Sequence, residues 1–134
     1  WDETYNPANF NMADGATYYF GNMNYPPQAF AATMGTITLQ YNCTLVGWDM
    51  NYYLGGTTGS AESCTLSVRA NNTTDTQLSN AITFNSATAT GFSATGLSNK
   101  FTAGDRINIK LVAPTLATNP TQIYLGLTLH FIRR

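Results

Sequence analysis

Hydrophobic and polar residues alternate along much of the chain, most regularly near its end. Residues 122–131 place Ile123, Leu125, Leu127, Leu129 and Phe131 on one parity, and Gln122, Tyr124, Gly126, Thr128 and His130 on the other. A period of two sends alternate side chains to opposite faces of a sheet, so this segment predicts a core strand with one buried face. Residues 106–111 repeat the pattern, with Ile107, Ile109 and Leu111 against Arg106, Asn108 and Lys110. Residues 36–41 set Ile37, Leu39 and Tyr41 together, and residues 64–70 set Cys64, Leu66, Val68 and Ala70 together. In residues 44–54 the apolar parity holds Val46, Trp48, Met50, Tyr52 and Leu54, leaving Asp49 and Tyr53 facing outward. Residues 16–20, 81–84 and 88–97 complete a set of about eight predicted strands, and no window carries a clean helical stripe.

Turn-forming residues separate most of these segments. Gly55, Gly56, Thr57, Thr58 and Gly59 read as a hairpin tip, residues 71–75 as a turn, and Ala103-Gly104-Asp105 as a turn leading into a strand. Pro26-Pro27 breaks the chain early, and residues 114–120 form a longer connection. Short strands with frequent turns predict an all-β, two-sheet antiparallel jelly-roll sandwich, built as a single domain over residues 1–134.

Composition changes the picture in one respect. Charged residues are only 10% of the chain, whereas 21 Thr, 14 Asn and 7 Ser supply neutral polarity. Thr favours strands, while Asn and Ser favour turns. A surface with little charge has weak long-range repulsion and suits packing against copies of itself. The net charge of −1 comes with no basic run, which argues against a nucleic-acid partner. No apolar stretch is long enough to cross a membrane as a helix.

Candidate chemistry is sparse. A nucleophilic triad needs a histidine with orienting partners, and the single histidine, His130, falls on the outward parity of the last strand, where a surface or interface role is expected. Two cysteines and one histidine do not form a recognisable zinc set, so no metal or cofactor is predicted. A glycan-active enzyme would draw on Asp49, Asp75 and Asp105, which form no motif, and the chain reads as non-enzymatic. The supposed hairpin centred near Thr58 sets Cys64 opposite Tyr52 and leaves Cys43 at the far end, so two free buried thiols are expected. The Asn-X-Thr matches at Asn42, Asn71 and Asn72 are expected by chance in a chain this rich in Asn and Thr. Aromatic residues make up 13% of the chain. Trp48 and Tyr52 are predicted in the core, and Tyr53 and Tyr124 on the surface or at a subunit interface. The Arg133-Arg134 end is expected to be solvated.

Several runs resemble small β domains of phage and other viral structural proteins. They are residues 68–76 (VRANNTTDT), residues 101–110 (FTAGDRINIK), and the end with Pro114-Thr115, residues 118–121 and residues 125–129. The resemblance covers about the last half of the chain, and the first half only loosely through Tyr19-Phe20-Gly21. Such domains are similar to the jelly rolls of phage fibre heads and of C1q-like trimers. The resemblance implies a homotrimeric knob at the end of a longer fibre or spike protein, on the virion surface, attaching to a host-surface glycan or protein. The alternative it leaves open is a capsid decoration, cement or minor capsid protein that touches only other virion proteins. It carries no catalytic set. Recognition is expected in loops, at Tyr53, Gly55, Gly56, Thr57 and Thr58, with Asn72, Thr73 and Asp75 as further positions. Tyr124, Thr128 and His130 are the expected subunit-interface positions.

Overall fold

The computed structural model describes residues 1–22, 35–56, 62–78, 82–84 and 90–134, with Ile82–Phe84 and Thr90 followed by backbone only. Its strands are β1 (Asp2–Tyr5), β2 (Thr17–Phe20), β3 (Ile37–Thr38), β4 (Cys43–Gly55), β5 (Glu62–Ala70), β6 (Thr74–Gln77), β7 (Ile82–Phe84), β8 (Thr90–Phe101), β9 (Arg106–Val112) and β10 (Gln122–Arg133). One sheet runs β1-β10-β4-β8, and the other runs β2-β9-β5-β6, with β3 also on β9 and β7 also on β5. All pairings are antiparallel.

The ten strands fill eight positions, because β2 and β3 share one edge of β9 and β6 and β7 share one edge of β5. The chain changes sheets between β1 and β2, between β3 and β4, between β4 and β5, and at each step from β7 to β10. This interleaving of two four-position sheets is the jelly roll that the alternation predicts.

The inward parity of the long strands forms the core. Leu66 and Val68 on β5, Ile107, Ile109 and Leu111 on β9, and Ile123, Leu127 and Leu129 on β10 are almost wholly excluded from water. Trp48 is buried between the sheets and donates its indole N–H to the Leu78 carbonyl at 2.9 Å. Tyr52 is buried, as predicted, and stacks on Phe92.

Several expectations are corrected. The segment after β4 is not a hairpin loop: β4 and β5 lie in different sheets, so Gly55 and Gly56 begin a crossing between layers, and Thr57 and Thr58 lie outside the described residues. Cys43 and Cys64 are both free and buried, but sheet separation keeps them apart rather than hairpin register. Within β4, Leu45 pairs with Phe131 and Gly47 with His130, so Val46 is the extra residue of a β-bulge. The bulge shifts parity, burying Cys43 and Leu45 and leaving Val46 half-buried. Of the strand predicted over residues 36–41, only Ile37–Thr38 pair, and Tyr41 is exposed.

Two short strands carry no sequence signal. β1, with the sequence DETY, pairs along β10, and β6, read as part of a turn, pairs along β5. The turn itself is confined to residues 71–73, where Asn71 and Asn72 take φ of 52° and 61° and Thr73 N–H reaches the Ala70 carbonyl. Two consecutive left-handed residues make the turn whose twist suits a hairpin, and Asn tolerates that conformation. The Arg133-Arg134 end is not simply solvated. Arg134 donates to the Cys43 and Phe101 carbonyls, and the Arg133 guanidinium lies 3.9 Å from the Tyr41 ring centre. The Pro26-Pro27 break, Ala81 and Thr88 lie outside the described residues.

Candidate functional site

The outward face of the four-stranded sheet gathers most of the residues singled out by parity. β10 is central in that sheet, with β1 on one side and β4 on the other. Its outward side chains therefore meet those of both neighbours, because directly opposed positions in antiparallel strands bring side chains together. Tyr124 opposes Tyr53, Gly126 opposes Asn51, Thr128 opposes both Asp49 and Thr4, and His130 opposes Asp2.

Tyr53 and Tyr124 are about half exposed, with ring centres 5.9 Å apart and planes tilted by 56°. The Tyr124 hydroxyl donates to Gln122 Oε1 at 2.9 Å. A shallow groove beside the two rings is lined by Asn51, Tyr52, Leu125 and Gly126. Gly126 adds no side chain to its floor, and the Asn51 amide stands between Gly126 and Gly91. Exposed ring faces next to an amide can stack on a sugar ring or on another aromatic group, because an apolar face comes with polar tips at its rim.

At the other end of the same face, His130 sits between two carboxylates. Its Nδ1 lies 2.7 Å from Asp2 Oδ1, and its Nε2 lies 2.7 Å from Asp49 Oδ2. The hydrogen bond to Asp2 and then that to Asp49 raise the imidazole's pKa above its usual value, against a small opposing effect of burial. Thr4 and Thr128 meet through their hydroxyls beside this cluster. Sequence parity found His130 and Thr128 on this face but not Asp2, which is 128 residues from His130 along the chain.

The remaining recognition candidates divide between places. Gly55 and Gly56 close β4 against Thr121, whose N–H donates to the Gly55 carbonyl. Asn72 and Thr73 form the exposed β5–β6 turn, beside the Asp105 turn and the start of β4. A 13-residue strand separates these ends, a span of about 40 Å, so the two groups of loops cannot form one contact surface. Asp75 lies next to the β5–β6 turn and is joined to it through Arg69, which also donates to the Asn72 carbonyl at 2.7 Å. It sits on the outward face of the six-stranded sheet, 2.9 Å from Arg69 and 2.7 Å from Lys110. Arg69 also lies over the Tyr19 ring.

The three aspartates considered for glycoside hydrolysis are similarly dispersed. Asp49 is bound to His130, Asp75 to Arg69 and Lys110, and Asp105 to the Thr102 N–H and the Asn71 amide. They stand on one sheet face, the outward face of the other sheet and a turn, and each is already bound to neighbouring groups.

No protein-family model and no curated protein sequence matches the chain. Solved structures do resemble it. The structure of the infectious bursal disease virus Gx strain matches 99% of this chain at 10% identity, with a TM-score of 0.54. The D431N mutant VP2 protein of infectious bursal disease virus, from derived T=1 particles, matches 99% at 11% identity, with a TM-score of 0.55. The chain spans 32% of each of those proteins, about a third of their length. At this identity the likeness concerns the fold, and the fold it identifies is a two-sheet antiparallel jelly roll shared with viral proteins.

Proposed function

We propose that this chain is a non-enzymatic structural module of a virus particle, displayed on its surface and assembled as a homotrimer. The observation that carries this reading is the jelly-roll likeness to the VP2 protein of infectious bursal disease virus, which extends over 99% of the chain. Fold alone does not fix function, so the argument also rests on the surfaces. The outward face of the four-stranded sheet presents Tyr53, Tyr124, Asn51, Thr4 and Thr128, neutral side chains that a neighbouring subunit can cover, beside the His130 cluster, whose charged groups are paired with one another. In this reading Tyr124, Thr128 and His130 line contacts with a second copy or with another virion protein.

Attachment to a host-surface glycan or protein would use the end of the sandwich where β4 finishes. Tyr53 lies there near Gly55 and Gly56, and its exposed ring suits sugar stacking. Asn72 and Thr73 at the opposite end would serve a separate contact. A second reading, decoration or cementing of a capsid through contacts with virion chains alone, is favoured by the T=1 particles from which the similar VP2 structure derives.

The mass of the purified protein, by light scattering behind a sizing column, tests assembly. A mass near three times 14.6 kDa is expected for the trimer, and a stable monomer overturns it. A host-glycan panel, read by shifts at Tyr53 and Tyr124, separates the two readings: binding supports attachment, and silence with retained self-association supports decoration.

A further inference from the structure

We propose that His130 is a proton-operated clasp that fastens the outer end of edge strand β1 to the body of the sandwich. β1 is short and, among the described residues, lies at the rim of its sheet and pairs only with β10. Its inner end is anchored by Tyr5, which is wholly buried. At its outer end the half-exposed Trp1 ring stacks on Phe131, and on the outward face Asp2 ties the strand across the sheet, through His130, to Asp49 on β4.

Strand register explains how this bridge forms. The Trp1 terminal ammonium donates to the Phe131 carbonyl, and the Phe131 N–H donates to the Trp1 carbonyl, at 2.9 Å each. The next pair inward, Asp2 and His130, is therefore a non-hydrogen-bonded pair, where opposed side chains approach most closely. On the other flank, the β4 bulge sets Gly47 opposite His130, so no side chain there blocks the ring's path to Asp49.

Valence then sets the protonation dependence. Ionised carboxylates only accept hydrogen bonds, and a neutral imidazole carries a single N–H. Both 2.7 Å contacts can be hydrogen bonds to carboxylates only when both ring nitrogens are protonated. The charged groups facing His130 are Asp2 from β1 and Asp49 from β4; β8, beyond Asp49, offers the neutral Ser93, and β10 itself offers Thr128. No cation among them competes for the carboxylates.

The folded-state pKa of His130 is raised, so the clasp is complete below the ordinary imidazole value of about 6.5 and is lost as pH rises through the higher folded value. Losing the proton leaves one carboxylate without its donor and loosens β1 from Asp2 towards Thr4, while Tyr5 stays anchored. An opened β1 exposes the backbone of its stretch of β10, an edge that another strand can fill.

His130 is the only histidine, so its ring gives one unambiguous NMR signal. We would titrate that signal from pH 5 to 9 in the wild type, Asp2→Asn and Asp49→Asn. Over the same range we would measure protection factors for the Glu3 and Leu129 amides, the next pair to exchange bonds, in the wild type and in His130→Gln. The expected result is a midpoint above the ordinary value, lowered by each Asn substitution. Protection should fall several-fold through that midpoint in the wild type and stay flat in His130→Gln. A midpoint at or below the ordinary value and indifferent to both substitutions, or wild-type protection that does not change with pH, overturns the proposal. All three substituted residues are on the outward face, so the variants are expected to keep the core.

Discussion

Tyr53 and Tyr124 oppose each other directly across the pairing of β4 with β10, and both are half exposed, while Tyr52 and Leu125 beside them point into the core. Their rings, 5.9 Å apart, are therefore outward members of strands whose stability comes from the other face. Such a pair can be altered with little effect on folding, which makes it a clean probe of recognition.

Replacing either tyrosine by Ala is expected to cost about 1 kcal/mol or less, with a coupling of about 0.5–1 kcal/mol in the double-mutant cycle. Urea denaturation of the two single variants and the double variant measures this. Under the attachment reading, the same variants lose glycan binding while keeping their midpoints close to that of the wild type.

The interior behaves differently. Leu66 on β5 is fully buried between the sheets, and Leu66→Ala removes packing that the neighbouring strands can only partly recover. A loss of about 2–5 kcal/mol is expected in the free energy of unfolding, read from the denaturant midpoint at unchanged slope.

Asn71 fastens two turns together. Its side-chain Nδ2 donates to Asp105 Oδ1 at 2.8 Å, and its side-chain Oδ1 accepts the Arg106 N–H at 3.0 Å, from a backbone with φ of 52°. Asn71→Ala loses both bonds and leaves in the left-handed region a residue that tolerates it less well than Asn, for an expected cost of about 1–3 kcal/mol. Asn71→Gly keeps the conformation and loses only the bonds, so it should be the milder change by thermal melting.

The thiols report on opening of the sandwich. Burial pushes the Cys64 thiol up to about 12 and also raises Cys43, so neither presents an accessible thiolate at neutral pH. A thiol reagent should label neither residue in the native protein and both in denaturant, and any slow native labelling should follow the unfolding rate. Rapid labelling of Cys64 in the folded protein would contradict its burial.

Long strands were legible because their period of two survives in the sequence. The inward residues of β5, β9 and β10 were all assigned to the correct face, and so were the outward Tyr53, Tyr124 and His130. Short edge strands were not legible. β1 and β6 have too few residues to repeat a pattern, and they are strands because a neighbour supplies their hydrogen bonds. The inversion at Val46 was hidden for a related reason. A bulge adds one residue to β4 against β10, and only the partner's register reveals it.

The fold class and the two faces of the long strands, outside the bulge at Val46, were readable from residue order alone, because both depend on local alternation and on the free energy of burying apolar surface. Tertiary structure decided which strands are neighbours. It put β4 and β5 in different sheets, carried Asp2 to His130 across nearly the whole chain, and bound Asp75 to Arg69 and Lys110. These are long-range pairings, set by how two sheets close over a shared core, and no local pattern of residues records them.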